Sequence, residues 1–367
     1  ADYDTDAFVP QYISPSIKDY KAKAFYNTLK DKYKPLYEII YNGIENTEIK
    51  IDIPDREYTS DEVHELYFKV LYDNPQFCYT QNYSVGYWDT NNNEYIDGDE
   101  YIAYVMPYYC DVDNSNAEEY MTSVLELCDI NGDMMNNLRI VHDRIVMYTD
   151  ILERYTNSTC TSAQGAIVNG KADDMGFAKA FCYYAQALGL PCYVVDGAIG
   201  EELRAWCRVK LDGTWYNVDV YGDKLAGSAV TEAEVYDGNH RSFCTFFLAN
   251  DEYMERCGYA ANSVYDALWS GEYAANAPES NYYLQRDGQN AFYIDPDGAY
   301  DFLLEEAAKN YNEGTDKTSC YVMPLEADGL YKRLNGQFLS DLEEKYGITP
   351  SEFEIKYYPD EFVIVMS

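Results

Sequence analysis

Ten cysteines, three histidines and several acidic clusters are the groups in this chain that could do chemistry, and their spacing narrows what that chemistry is. The cysteines, at 78, 110, 128, 160, 182, 192, 207, 244, 257 and 320, form no CxxC pair, so a zinc site is not expected. Several stand in apolar text, where a free thiol behaves as a small hydrophobe, and few or no disulfides are expected. Asp89, Asn91, Asn93, Tyr95, Asp97 and Glu100 have the spacing of a calcium loop. Glu94 stands where such a loop needs glycine, and both flanks read as strands. An Asn-rich hairpin turn is therefore expected there, with calcium as the alternative. His142, next to Asp143 in helical text, has no nucleophile beside it and reads as a hydrogen-bonded helix residue. His64 falls in an N-terminal helix and His240 in loop text. The acids that stand out are Asp173 and Asp174, which precede a helical run where negative charge gains from the helix N-terminus.

The elements that must position these acids lie between Gly165 and Asp223. Phe177, Phe181, Tyr184, Ala185 and Leu188 recur at helical spacing, and Gly189 stands where a left-handed cap belongs before Pro191. A strand over Cys192–Val195 follows, then strands over Leu203–Leu211 and Thr214–Val220 joined by Asp212-Gly213, a strong hairpin signal.

Helix, strand, loop, strand, turn, strand, worded ADDMGFAKAF, LGLPCYVVDG, RAWCRV and WYNVDV, resembles the transglutaminase-like, papain-like core. Members of that family carry Gly, any residue, Cys, any residue, Gly-Tyr/Phe-Ala at the helix start, then LG(I/L)P, HAW and W-Y-x-V-D. The resemblance implies a cysteine nucleophile, a histidine base and an aspartate that orients the base, a thiolate at a helix N-terminus being favoured beside imidazolium. Carried over residue by residue, the cysteine position is Asp174, the histidine position Arg204 and the aspartate position Asp219. A carboxylate is a poor nucleophile toward amides, and guanidinium does not act as a base. An Asp174–Arg204–Asp219 bridge is the expected replacement for the triad. Cys182 lies too far along the helix to reach its start, and Cys207 points to the opposite strand face from Arg204, so neither is expected to restore catalysis.

The expected function is a catalytically inactive binding or scaffold module for a protein, peptide or glycan, secreted or at the cell surface, with no cofactor. Trp206 and Trp215 are the candidate ligand-lining residues, core packing being the competing role for Trp206. The alternative is a hydrolase or transferase of altered mechanism that uses Asp174 and Asp219. A cation fixed between them opposes it, because it would lower both pKa values and remove the acid.

Lysine plus arginine is 27 against 64 acids over 367 residues, a formal charge of −37. With no basic patch to neutralise phosphates, nucleic acid is excluded as an expected partner. No apolar run reaches the roughly 18 residues of a membrane span, and residues 1–8 show no signal peptide. The class expected is α+β: residues 1–113 an N-terminal α/β extension of helices and a hairpin, 114–275 the transglutaminase-like core of a helix on an antiparallel sheet, and 276–367 a C-terminal α+β appendage. In the extension, helical text at 15–41 and a Thr59–Glu62 capping box precede strands at Phe77–Trp88 and Tyr95–Tyr108. In the core, a Ser115–Glu118 capping box opens one helix, and Leu138, Val141, Ile145 and Leu152 mark a longer one. HRSFCTFFLANDEYM resembles the strand and short helix that close the family's domain. In the appendage, helices at Tyr300–Ala308 and Leu330–Tyr346 alternate with strands, the last two turning at Pro359-Asp360.

Overall fold

A computed structural model describes residues 22–54, 57–88, 101–110, 122–129, 131–154, 156, 159–227, 244–262, 274–285, 291–323, 326–357 and 361–367. The possible calcium residues Asp89, Asn91, Asn93, Asp97 and Glu100, the Ser115–Glu118 box and His240 lie outside them. The fold is α+β, in two compact units: residues 1–215 with 260–274, and 216–259 with 275–367. One boundary, at 274/275, lies beside the expected start of the appendage at 276, and another, at 215/216, cuts through a strand of the core.

The first unit opens with α1 (Ala24–Thr28), a 3-10 turn (Asp31–Tyr33) and α2 (Lys34–Glu45), the last started by Pro35. β1 (Ile51–Asp52) is followed by α3 (Ser60–Asp73), whose Thr59–Glu62 capping box forms as expected. β2 (Thr80–Tyr87) and β3 (Ile102–Tyr109) pair antiparallel, and β1 adds to the far side of β3. Then come α4 (Met134–Tyr148), β4 (Asp150–Ile151), α5 (Ala163–Ile167) and β5 (Lys171–Ala172). Leu152, expected on α4, lies beyond its end, where its amide bonds Ala172 O and extends the parallel β4–β5 pair.

α6 (Asp174–Ala187) is the centre of this unit. Twelve of its fourteen residues are buried, so α4, α5 and the sheet can surround it. Gly176 makes one close approach possible, since a Cβ there would stand 2.3 Å from Cys160 O. The helix stops as its sequence dictates, with Gly189 at φ +84° ahead of Pro191. β6 (Cys192–Ile199) and β7 (Glu202–Leu211) pair in unbroken antiparallel register, Val194 opposite Cys207 and Gly197 opposite Arg204. Two thiols tie α6 to this hairpin: Cys207 Sγ donates to Ala178 O at 2.9 Å and Cys182 Sγ to Cys192 O at 3.4 Å. None of the ten cysteines is in a disulfide. Asp212 and Gly213, at φ +49° and +87°, make the tight turn into β8 (Thr214–Val218), which runs on into the second unit.

In that unit Val218 and Asn217 pair with β9 (Phe247–Ala249). The expected strand stops short of Val220. Asp219 instead caps a helix, α7 (Val220–Gly227), its Oδ1 accepting from Gly222 N at 2.8 Å. α8 (Asp251–Arg256) follows β9, as the resemblance implied, and β10 (Tyr259–Ala261) leads back to the first unit, where Asn262 N bonds Asp196 O. After α9 (Tyr282–Gln285), β11 (Phe292–Tyr293), α10 (Pro296–Glu313), β12 (Lys317–Val322), α11 (Ala327–Tyr346), β13 (Phe353–Tyr357) and β14 (Glu361–Met366) form a layer of two helices on a sheet of order β11-β12-β14-β13. Leu303, Leu330, Leu334, Phe338 and Phe362 fill its core. Among the described residues no helix is long and apolar enough to cross a membrane.

Candidate functional site

The start of α6 is built from its own sequence. Asp173 is the N-cap, its Oδ1 accepting from Gly176 N at 3.0 Å. Its Oδ2 accepts a thiol hydrogen bond from the buried Cys160 at 3.6 Å. Burial pushes its carboxyl up from 3.8 to about 6, and the neighbouring charge of Asp174 pushes the same way against the Gly176 amide.

Asp174, one residue on, is 4% exposed and fully engaged. Arg154 grips it with two parallel bonds, Nε to Oδ1 at 2.6 Å and Nη2 to Oδ2 at 2.5 Å. Oδ2 also accepts from the backbone amide of Ala205 at 2.6 Å, which pins the helix start to β7. Such a fork-to-fork pair fixes both position and charge. This guanidinium is that of Arg154, a partner of Asp174 that the sequence reading did not name. Strand alternation explains how β7 is divided: Ala205 and Cys207 share the face on which Cys207 meets α6, and Arg204 shares the other with Trp206.

Asp219 lies in the second unit. Besides capping α7, it accepts from Tyr259 Oη at 2.7 Å through Oδ2. Gly222 is required beside it, since a Cβ there would stand 2.7 Å from the Asp219 carboxylate and 2.8 Å from Tyr259 Oη.

Trp206 and Trp215 are interior. Trp206 is 2% exposed, its ring edge lying where a side chain at Gly197 would be. Trp215 packs edge-on against Tyr193, with ring centroids 5.3 Å apart, and beneath the Lys210 ammonium. His142 is buried on α4, its Nδ1 2.9 Å from Asp143, which also accepts from Arg139. His64 meets the Tyr83 hydroxyl. No group of His, Cys, Asp and Glu among the described residues could hold a metal ion.

Sequence reasoning missed Arg154, Cys160 and Tyr259. Arg154 lies twenty residues before Asp174 in a segment with no regular period, so only the return of the chain through α5 and β5 brings the two together.

Residues 133–220 match the model of the transglutaminase-like superfamily. That span contains α4 to β8 and ends one residue past Asp219, and it marks a transglutaminase-like domain in this chain. No curated protein matches. Among solved structures, the chain is similar to a TGase at 15% identity and TM-score 0.26, over 39% of this chain and 44% of that one. A structure from Cytophaga hutchinsonii, provisionally named a cysteine protease, is 17% identical with TM-score 0.25, over 29% and 37%. One from Parabacteroides distasonis, provisionally named a protease, is 10% identical with TM-score 0.24, over 38% and 36%. The chain thus spans less than half the length of each.

Proposed function

We propose that this transglutaminase-like protein is catalytically inactive and works as a binding or scaffold module for a protein, peptide or glycan, outside the cell or at its surface. One observation carries the reading: the side chain at the family's nucleophile position is a carboxylate held by the Arg154 fork and the Ala205 amide. A carboxylate so held has its oxygens committed, and it attacks amides poorly even when free. Cys160 is close by in the chain's return, but it is fully buried and its thiol donates to a carboxylate, which does not activate it as imidazole would.

A hydrolase that uses Asp174 as an acid is disfavoured by the same pair. Both carboxylate oxygens already accept from Arg154, and Oδ2 from the Ala205 amide as well, whereas a general acid must present a carboxyl oxygen to the substrate. The test is amine incorporation into a glutamine-containing peptide, together with peptide hydrolysis, by the purified chain. No turnover is expected with either, and turnover that survives alkylation of the cysteines would overturn the reading.

A further inference from the structure

Behind the engaged carboxylate, the same helix carries a cation that nothing in the described structure neutralises. Lys179 stands one turn from Met175 on α6 and is 6% exposed. No hydrogen bond or ion pair to its ammonium occurs among the described residues. Burial pushes its pKa down, and the Cys78 thiol and the Asp173 carboxyl oppose this only at a distance. A buried charge without a partner is costly, and such groups are usually paired. Thr161 is 5% exposed, and its Oγ1 has no hydrogen-bond partner among the described residues.

Both residues line one cavity of about 110 Å³, entirely within the first unit. Its other charged member, Arg154, is already neutralised by Asp174. The rest of the wall is largely apolar and includes Phe68 and Leu71 of α3 and Met175 of α6. A single water needs roughly 10–15 Å³ of such space, so the cavity admits a group of roughly seven to eleven heavy atoms, about one residue. Its features select among ligands. One positive charge with no partner among the described residues calls for a monoanion, the Thr161 hydroxyl supplies a donor to it, and the apolar wall suits a hydrocarbon substituent. With a formal charge of −37 on the whole chain, general attraction cannot gather anions, so recognition has to be local.

We propose that this cavity binds a carboxylate bearing a short apolar group, its oxygens received by Lys179 Nζ and Thr161 Oγ1. Two sources share this chemistry, a free N-acylated amino acid and the C-terminal residue of a peptide. The proposal gives the binding module of the previous section a ligand class and rests on that reading for its biological sense, though not for its geometry.

Isothermal titration of the full chain with N-acetyl-leucine and with a tripeptide ending in leucine, each beside its C-terminal amide, tests it. Both acids are expected to bind at least about tenfold more tightly than their amides, the scale of one charge-assisted hydrogen bond. If the tripeptide acid binds much the tighter, the peptide terminus is the source. Lys179→Met should abolish the preference for acid over amide while raising the melting temperature, because an unpaired buried charge is removed. Thr161→Val should weaken acid binding severalfold and leave amide binding unchanged. Equal binding of acid and amide, binding of neither, or a preference that survives in Lys179→Met would overturn the proposal. If Lys179→Met fails to fold, Thr161→Val and Lys179→Gln decide on the same criterion. Turnover in the assays of the previous section would overturn inactivity without touching this preference, and loss of the preference without turnover would overturn the carboxylate site alone.

Discussion

At the level of single residues, neighbouring acids have been given opposite conditions by their partners. Asp174 has a cation and an amide; Asp173 has a cap amide, a thiol and the charge of Asp174. Arg154→Met would leave the Asp174 carboxylate buried with one donor. A loss of about 2–3 kcal/mol in urea unfolding is expected, the upper end being held down by the partial exposure of Arg154. For Asp173 the folded pKa of about 6 lies above its ordinary 3.8. Between these values the folded state binds more protons than the unfolded one, so this group's contribution to stability falls as pH rises through that window. Asparagine keeps the cap and cannot ionise. Asp173→Asn should therefore gain on the parent as pH rises from 3.8 to 6, reaching an advantage on the order of 1 kcal/mol at neutral pH. Denaturation curves at several pH values check this, and a constant difference between the two proteins would contradict it.

At the level of elements, α6 is held at both ends by polar groups inside an apolar surround. At its C-terminal end, Lys23 Nζ donates to Gln186 Oε1 at 2.6 Å and to Asp73 O at 2.9 Å. The Asp73 carboxylate receives the amides of Phe25 and Tyr26 and the Tyr37 hydroxyl. This network joins α1, α3 and α6. Burial raises Asp73 to about 7 and lowers Lys23 to about 8, with their mutual attraction opposing both shifts. Asp73→Ala would take the carboxylate from the amides of Phe25 and Tyr26 and the compensating charge from the Lys23 ammonium, whose bonds to the backbone carbonyl of residue 73 and to Gln186 remain, and a loss of about 3–5 kcal/mol is expected by calorimetry. At the other end, Gly176→Ala would drive a methyl into Cys160 O, and the cap region would have to move. A lower melting temperature, with parallel loss of the slow-exchanging amides at the start of α6, is the expected outcome.

At the level of the whole molecule, charge outweighs any single pair. A formal charge of −37 on 367 residues sets surface carboxylates against one another. Raising sodium chloride to roughly 0.5 M, where the screening length falls to a few ångströms, should raise the melting temperature. A fall across that range would show that attractive pairs dominate. The second unit contains a core of its own, in which Tyr300, Leu303, Phe338 and Phe362 pack between α10, α11 and the sheet. Hydrogen exchange should therefore show the amides of α10, β12, α11 and β14 protected as a block.

What the sequence determined by itself is local. Thr59 and Glu62 close a capping box, Gly189 takes its left-handed conformation, and Asp212-Gly213 turns the hairpin, because each depends on backbone geometry within a few residues. The motif text of residues 165–223 also named the domain, since the same helix and strands must recur in the same order. Where local cues compete, the sequence misleads: Asp219 ends a strand and begins α7, a helix with Gly222 inside it that no periodicity announced. Only the tertiary structure decided which cation neutralises Asp174. The returning chain carries Arg154, twenty residues upstream, onto the carboxylate, while alternation along β7 puts Arg204 on the strand face it shares with Trp206. The same holds for Lys179, an ordinary lysine in helical text that is buried without a partner among the described residues because α3 and α6 close around it. Helix and turn geometry is set within a few residues, but the partner of a buried charge depends on how distant segments pack.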